Sequence, residues 1–216
     1  MYHIKEAFYS LQGEGQRAGR PAIFCRFTGC NLWSGREQDR ATSPCTLCDT
    51  DFIGTDGQHG GRFGEAQDLA DHLLALWPDS AEGIAAKPYV VFTGGEPLLQ
   101  LDVPLIEAMQ TRRFEVAVET NGTLPCPPQV DWICVSPKGH SPIVQRHGHE
   151  LKLVYPQPGV NPADFITLDF EHFILQPLDG EPQGLTENYT QAALNYCLAH
   201  PRWTLGLQTH KLLNID

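Results

Sequence analysis

Short apolar runs that alternate with helical patterns, most of them followed at once by a polar motif, constrain this chain more than any other feature. AIFCRF (22–27), YVVFT (89–93), EVAVET (115–120), WICVS (132–136), ELKLVY (150–155), HFILQ (172–176) and TLGLQ (204–208) are rich in Val, Ile and Phe. Several are apolar throughout and read as strands buried on both faces. Leu69, Leu73 and Leu76 mark one face of a helix over 65–76, which Pro78 ends. Leu105, Ile106 and Met109 mark a second over 101–110, and Thr186 is positioned to cap a third running through Ala192, Ala193 and Tyr196. Strand–helix alternation predicts a mostly parallel sheet. A full eight-fold barrel takes ~250 residues, more than the 216 here, and 20 Gly and 17 Pro draw many of those into loops. The expectation is an α/β fold, a partial TIM-like barrel in a single domain over 1–216.

The polar motifs follow the strands in order. TGC comes after the first, GGEP after the second, TNG after the third, SPK after the fourth, QPLD after the sixth and QTHK at the last. In a parallel barrel these points share the carboxyl-end rim, where active sites are built. Charge narrows the ligand class. The formal net charge is −11, with no Lys/Arg run, which disfavours nucleic acid and anionic membrane surfaces as partners. An anionic small molecule must then meet individually placed cations, for which Arg26, Lys138 and Lys211 are the candidates. No apolar stretch reaches the ~18 residues of a membrane span, and MYHIKEAFYS lacks the apolar region of a signal peptide. The expected location is cytoplasmic, where the seven cysteines stay thiols.

Three of those cysteines cluster. Cys30, Cys45 and Cys48 form C-x14-C-x2-C, soft donors suited to iron–sulfur or zinc. A 4Fe–4S cluster usually takes four Cys, so three leave one iron open to another ligand. The alternative is structural zinc with His59 as the fourth ligand. Cys25 and Cys134 lie in apolar strands, Cys126 in a Pro-rich turn and Cys197 on a helix; these read as structural. Thr93-Gly94-Gly95-Glu96-Pro97 directly follows a strand, and its two glycines admit close approach of a ligand to the backbone. Paired with the cysteines, it resembles the methionine-amino-binding motif of the radical S-adenosylmethionine superfamily, which decides for iron–sulfur.

A wider ordered set narrows the resemblance. Phe8-Tyr9-Ser10-Leu11-Gln12-Gly13-Glu14-Gly15, Arg26 to Leu32, Cys48-Asp49-Thr50, Thr93 to Pro97, Glu119 to Gly122, Ser136-Pro137-Lys138, Gln176 to Asp179 and Gln208 to Lys211 together resemble the 7-carboxy-7-deazaguanine synthase family over nearly the whole chain. The superfamily's usual spacing is C-x3-C-x2-C, so 31–44 holds a cluster-loop insert of eleven extra residues. The resemblance implies a lyase that converts 6-carboxy-5,6,7,8-tetrahydropterin to 7-carboxy-7-deazaguanine with loss of ammonia, on the route to queuosine and other 7-deazapurines. It implies a 4Fe–4S cluster on the three cysteines, S-adenosylmethionine as a regenerated radical initiator, and Mg²⁺ with Thr50 as a ligand. S-adenosylmethionine is expected at Leu47, Asp49, Gly95, Ser136, Pro137, Lys138, Gln176, Pro177, Leu178 and Asp179. Substrate is expected at Leu11, Gln12, Gly13, Arg26, Thr93 and the terminal carboxylate of Asp216. Glu14, Glu119 and His210 are candidates for moving protons.

Each residue also has a plainer reading. Arg26 pairs with a neighbouring acid, Thr50 and Thr93 are turn or strand-end hydroxyls, Lys138 is a surface lysine, and the three proton candidates are rim residues. The partners implied are a small pterin, a flavodoxin-like reductant and a second copy of the chain. The rival readings are a radical enzyme acting on a protein or nucleotide, and a zinc-stabilised binding module.

Overall fold

A computed structural model of the chain describes residues 1–78, 87–179 and 189–215. They form one continuous nine-stranded sheet in the order β3-β1-β2-β4-β5-β6-β7-β8-β9. β1 (Tyr2–Leu11) and β2 (Pro21–Phe27) pair antiparallel, and β3 (Gly61–Phe63) adds antiparallel to the outer edge of β1. From β2 onward every pairing is parallel, through β4 (Tyr89–Gly94), β5 (Glu115–Thr120), β6 (Trp132–Val135), β7 (His147–Tyr155), β8 (Asp169–Pro177) and β9 (Thr204–Leu205). Among the described residues no ladder joins β9 to β3, so the sheet is an open, partial barrel, as its length and alternation imply. No helix among them is long and apolar enough to cross a membrane.

The strands sort their side chains by the period of two. Ile23, Cys25, Phe27, Val90, Phe92, Val116, Val118, Leu151 and Leu153 face one way into the main core. There they meet Leu69 and Leu73 of α1 (Ala66–Leu74), Leu105, Ile106 and Met109 of α2 (Val103–Thr111) and Ala193 of α3 (Tyr189–Ala199). Full burial of each Val, Leu, Ile, Phe or Met among them contributes ~1.5–3 kcal/mol. α2 starts at Asp102, whose carboxylate accepts from the Leu105 amide at 3.1 Å and from the Tyr2 hydroxyl at 2.7 Å. That cap ties the helix to the first strand.

The opposite face is not apolar throughout, which corrects the expectation of strands greasy on both sides. A small cluster of Ala22, Tyr89, Val91 and Ala117, with Phe24 and Trp132, fills its lower part. Towards the carboxyl ends the same face carries Arg26, Thr93, Glu119, Lys152 and Gln176, each lining at least one of two cavities.

Two further expectations change, and one segment gains a place. Tyr2–Leu11 is a strand, so LQGEG follows the first strand instead of preceding it. The last strand is only Thr204–Leu205, and QTHK opens a short helix, α4 (Thr209–Leu213). The glycine-rich 54–64 segment folds against the edge of β1, with the Gly57 amide donating to the Lys5 carbonyl at 2.9 Å and the Ala7 amide to the Gln58 carbonyl at 2.8 Å. Thr186 and Asp216 lie outside the described residues.

Candidate active site

Two cavities open at the carboxyl ends of the parallel strands. The first, of about 300 Å³, has Cys30, Cys45 and Cys48 on its wall, with Thr93 to Gly95, Ser136, Lys138 and Gln176 to Asp179 around it. The second, of about 380 Å³, is lined by Leu11, Gln12, Gly13, Arg26 and His210. Glu14, Asp49, Thr50, Thr93, Glu119 and Gln208 line both and form the wall between them. Residues assigned above to the cluster and S-adenosylmethionine, Pro137 excepted, line the first cavity, and Leu11, Gln12, Gly13, Arg26 and Thr93, assigned to substrate, line the second. Pro137 lines neither; its carbonyl accepts from Gln157 Nε2 at 3.2 Å.

The thiols come together because two turns pack on each other. Gly94 has φ +142, and a Cβ there would run into the Phe27 backbone. A Cβ on Gly95 would overlap the Gly29 carbonyl and stand 2.8 Å from Cys30 Cβ. The two glycines therefore seat β4's exit against the Cys30 turn, a closer constraint than access for a ligand. Glu96 completes the joint. It is fully buried and accepts from the Leu98 amide at 3.0 Å, Thr120 Oγ1 at 2.7 Å and the Asn121 amide at 2.8 Å. Burial pushes its carboxyl up, and these donors oppose the rise.

Cys45 donates to Cys48, which brings the Cys48 thiol down to about 6 against the opposing effect of burial, while Cys45 is raised. Burial also raises Cys30. Among the described residues no three His, Cys, Asp or Glu side chains already stand as a metal-holding group. What the first cavity offers is three sulfur donors on one wall, with Lys138 lowering both Cys45 and Cys48. That donor set suits a thiolate-bound cluster. His59 lies away from them, its carbonyl accepting from His72 and its ring tilted against His72 at 6.1 Å, and it lines neither cavity.

The insert is ordered by its own contacts. Residues 37–42 make a short helical turn, from which Arg40 Nη1 donates to the carbonyls of Thr46 at 3.1 Å and Cys48 at 2.8 Å. The Arg40 guanidinium lies 4.1 Å over the Trp33 ring, and Trp33 packs edge-on against buried Phe52. The insert thereby braces the strip that carries Cys45 and Cys48.

Two glutamates of the wall between the cavities are held by a residue that the sequence reading passed over. Lys152 is 3% exposed and sits between two carboxylates, 2.6 Å from Glu14 Oε2 and 2.8 Å from Glu119 Oε2. Gln176 and Gln208 donate to Glu14 Oε1 at 3.0 and 2.8 Å, and Gln12 donates to Glu119 Oε1 at 2.9 Å. Burial works to raise the Glu14 carboxyl, but Lys152, Gln208 and His210 outweigh it and hold it down at about 2. Burial likewise works against the Lys152 ammonium, and Glu119 and Glu14 keep it well above the ordinary lysine value. The available signal was a lysine and a glutamate, Lys152 and Glu150, inside an otherwise apolar strand.

LQGEG and QTHK are partners. The Gly13 carbonyl accepts from the Thr209 amide at 2.8 Å and Thr209 Oγ1 at 2.9 Å, which docks α4 on the loop. The Gln12 amide side chain is committed to Glu119 and, through Oε1, to the Glu14 amide at 3.1 Å. Gln12 lines the second cavity, and these bonds also let it hold the two glutamates. Arg26 lines the second cavity, yet its Nε donates to Glu6 Oε1 at 2.8 Å, so the plainer reading of a neighbouring acid holds for that nitrogen. Lys138 Nζ donates to Ser136 Oγ at 2.7 Å and faces the first cavity instead of solvent alone. Lys211 pairs with Asp179 and, at 3.5 Å, with Asp49.

A parallel α/β sheet with its polar groups gathered at the carboxyl mouth defines an enzyme of the incomplete-barrel kind. No family model matches the chain. It is 58% identical over 214 residues to 7-carboxy-7-deazaguanine synthase of Bordetella pertussis, covering 99% of each chain, and 58% identical over 214 residues to that of Bradyrhizobium diazoefficiens, again with 99% of each covered. Among solved structures it is similar to QueE from Escherichia coli, with a TM-score of 0.64 and 28% identity over 97% of this chain and 94% of that one. The chain belongs to the 7-carboxy-7-deazaguanine synthase family.

Proposed function

We propose that the chain converts 6-carboxy-5,6,7,8-tetrahydropterin to 7-carboxy-7-deazaguanine, releasing ammonia. The observation that carries the reading is the shared wall. A thiol-lined cavity and a second cavity bearing Arg26 and His210 meet at Glu14, Thr50, Thr93 and Glu119, in a chain whose relatives over its full length carry that enzyme's name.

Cys30, Cys45 and Cys48 would hold a 4Fe–4S cluster with one iron left for S-adenosylmethionine. Bound there, the pair would supply the reversible hydrogen-atom transfer that the ring contraction needs. The chain's own residues do the rest. Gly95, Ser136, Lys138, Leu47, Asp49 and the strip from Gln176 to Asp179, which line the first cavity, would hold S-adenosylmethionine. Arg26 carries the fork geometry for the substrate carboxylate. Thr50, on the wall, offers a hard oxygen to Mg²⁺, which also takes substrate oxygens. Leu11, Gly13 and Thr93 bound the ring, and the Asp216 carboxylate is the acceptor proposed for its amino group. Glu14 is held ionised and accepts three hydrogen bonds already, so it orients substrate N–H groups. Glu119 and His210 are the groups proposed to accept and pass the protons that aromatisation and ammonia release require.

The same reading makes the chain a cytoplasmic homodimer reduced by a flavodoxin-like protein, with no nucleic-acid or membrane partner. The net charge of −11 supports the last point. Colour tests the cofactor. Protein reconstituted anaerobically with iron and sulfide is expected to be brown, with broad blue absorption. A colourless protein carrying one zinc per chain would refute it.

A further inference from the structure

Lys152 has no counterpart in the ordered motifs, yet it lines the first cavity and bridges two glutamates that line both. Its side chain is 4% exposed, and it bridges carboxylates that arrive from different elements, Glu14 from the loop after β1 and Glu119 from the end of β5. Two carboxylates sharing a buried wall repel one another, and a like charge disfavours the ionised form of each. One ammonium between them, hydrogen-bonded to both, removes that repulsion and fixes their separation. The remaining acceptor positions are set by neighbours: Gln176 and Gln208 occupy Glu14 Oε1, and Gln12 occupies Glu119 Oε1. Cys134 and Glu150 face the cluster from below, Tyr89 faces Glu119, and His210 approaches Glu14 from α4. These neighbours lie in the sheet, the loops bound to it and α4, which docks on the loop after β1. The carboxylates are therefore presented to the second cavity in one arrangement, and Lys152 is what permits it.

We infer that Lys152 is a positioning residue for the ring contraction, clamping Glu14 and Glu119 as a matched pair of acceptors for the N–H groups of the aminopyrimidine ring. The inference rests on the function proposed above. A substrate of this class carries its donors along one edge, and a pair of carboxylates at fixed separation accepts from that edge where water-exposed, mutually repelling carboxylates would not. Lys152 itself need touch neither substrate nor cofactor.

The test compares wild type with Lys152→Met and Lys152→Arg, using reconstituted protein, S-adenosylmethionine, Mg²⁺ and the carboxytetrahydropterin. Lys152→Met is expected to lose about 30-fold or more in kcat/KM, the effect of stranding a buried charge. The acid limb of its kcat/KM profile should move to higher pH, because Glu14 loses the cation that favours its ionisation. Lys152→Arg should return the limb to its wild-type position. A merely structural lysine would lower yield or thermal stability without moving the limb. Wild-type kcat/KM and an unmoved limb in Lys152→Met would overturn the inference. Should Lys152→Met not fold, Lys152→Arg decides: an unmoved limb supports the clamp, and a displaced limb despite the retained charge overturns it. If the wild-type enzyme itself forms no deazaguanine acid, it is the proposed function that fails, and carbon-13 titration of labelled Glu14 in wild type and the variants still reads the clamp. There, upward shifts in Lys152→Met, or in Lys152→Arg unshifted values, support it, and the reverse overturns it.

Discussion

Gly13 and the His210 imidazole occupy the same small space: a Cβ on Gly13 would overlap His210 Nδ1 and stand 2.7 Å from His210 Cβ. The C-terminal helix α4 thus docks on the loop after β1 only because residue 13 has no side chain. The Thr209 bonds to the Gly13 carbonyl hold it there. This contact places His210 at the second cavity and brings its charge to bear on Glu14.

Gly13→Ala is expected to push α4 away while leaving the sheet folded. Overpacking of this kind costs ~1–3 kcal/mol, here charged to a terminal helix of five residues. Hydrogen exchange should quicken across 209–213 and stay unchanged in β4 to β8. Unchanged exchange in α4 would show that the loop absorbs the methyl group.

Gly95→Ala strikes the first cysteine. The added Cβ overlaps the Gly29 carbonyl and Cys30 Cβ lies 2.8 Å away, so the Cys30 turn must shift. Iron content after reconstitution should fall severalfold, as it should to near zero in Cys45→Ala. Cys126, whose thiol donates to the Pro127 carbonyl and which lines neither cavity, is the contrast: Cys126→Ala should keep its iron. Equal loss in the two cysteine variants would contradict the division between them.

Arg40→Gln isolates the insert. It removes the guanidinium from Trp33 and the donor from the Thr46 and Cys48 carbonyls. Limited proteolysis should cut within 36–48 faster than in wild type, at unchanged global stability. Resistance equal to wild type would mean that the Trp33–Phe52 packing alone orders the strip.

Acid stability follows from Glu115, bonded to Arg17 and, at 2.7 Å, to Arg20 on the far end of the barrel interior. Burial pushes its carboxyl up, and the two guanidiniums outweigh burial and hold it at about 2, below the ordinary 4.5. A carboxyl lowered by folding contributes stability that is present above its unfolded value and lost as pH falls through the folded one. Glu14 acts in the same direction. Urea unfolding free energy should therefore decline as pH falls from 4.5 to about 2, and Glu115→Gln should flatten part of that decline. An unchanged slope in the variant would remove Glu115 from the account.

Much of this was legible in the sequence. YVVFT, EVAVET and HFILQ announced themselves because one face of each packs against helices and must be apolar. The motifs after them converged because parallel strands end on one rim. Tyr2–Leu11 was illegible as a strand. Its ladder bulges between Ile4 and Glu6, and its inner residues, Glu6 and Phe8, line a cavity, so no alternation survives. Lys152 was hidden for the opposite reason: an apolar strand absorbed it, and only the fold brings Glu14 and Glu119 to its ammonium. The roles of the GGEP glycines and of Gln12 were legible as positions and not as contacts, since their partners are distant in sequence.

The central claim is the ring contraction itself. Reduced, reconstituted protein incubated with S-adenosylmethionine, Mg²⁺ and 6-carboxy-5,6,7,8-tetrahydropterin is expected to yield 7-carboxy-7-deazaguanine by mass spectrometry, with S-adenosylmethionine not consumed in step with product. A fully loaded cluster with S-adenosylmethionine cleaved and no deazaguanine acid formed would contradict the account.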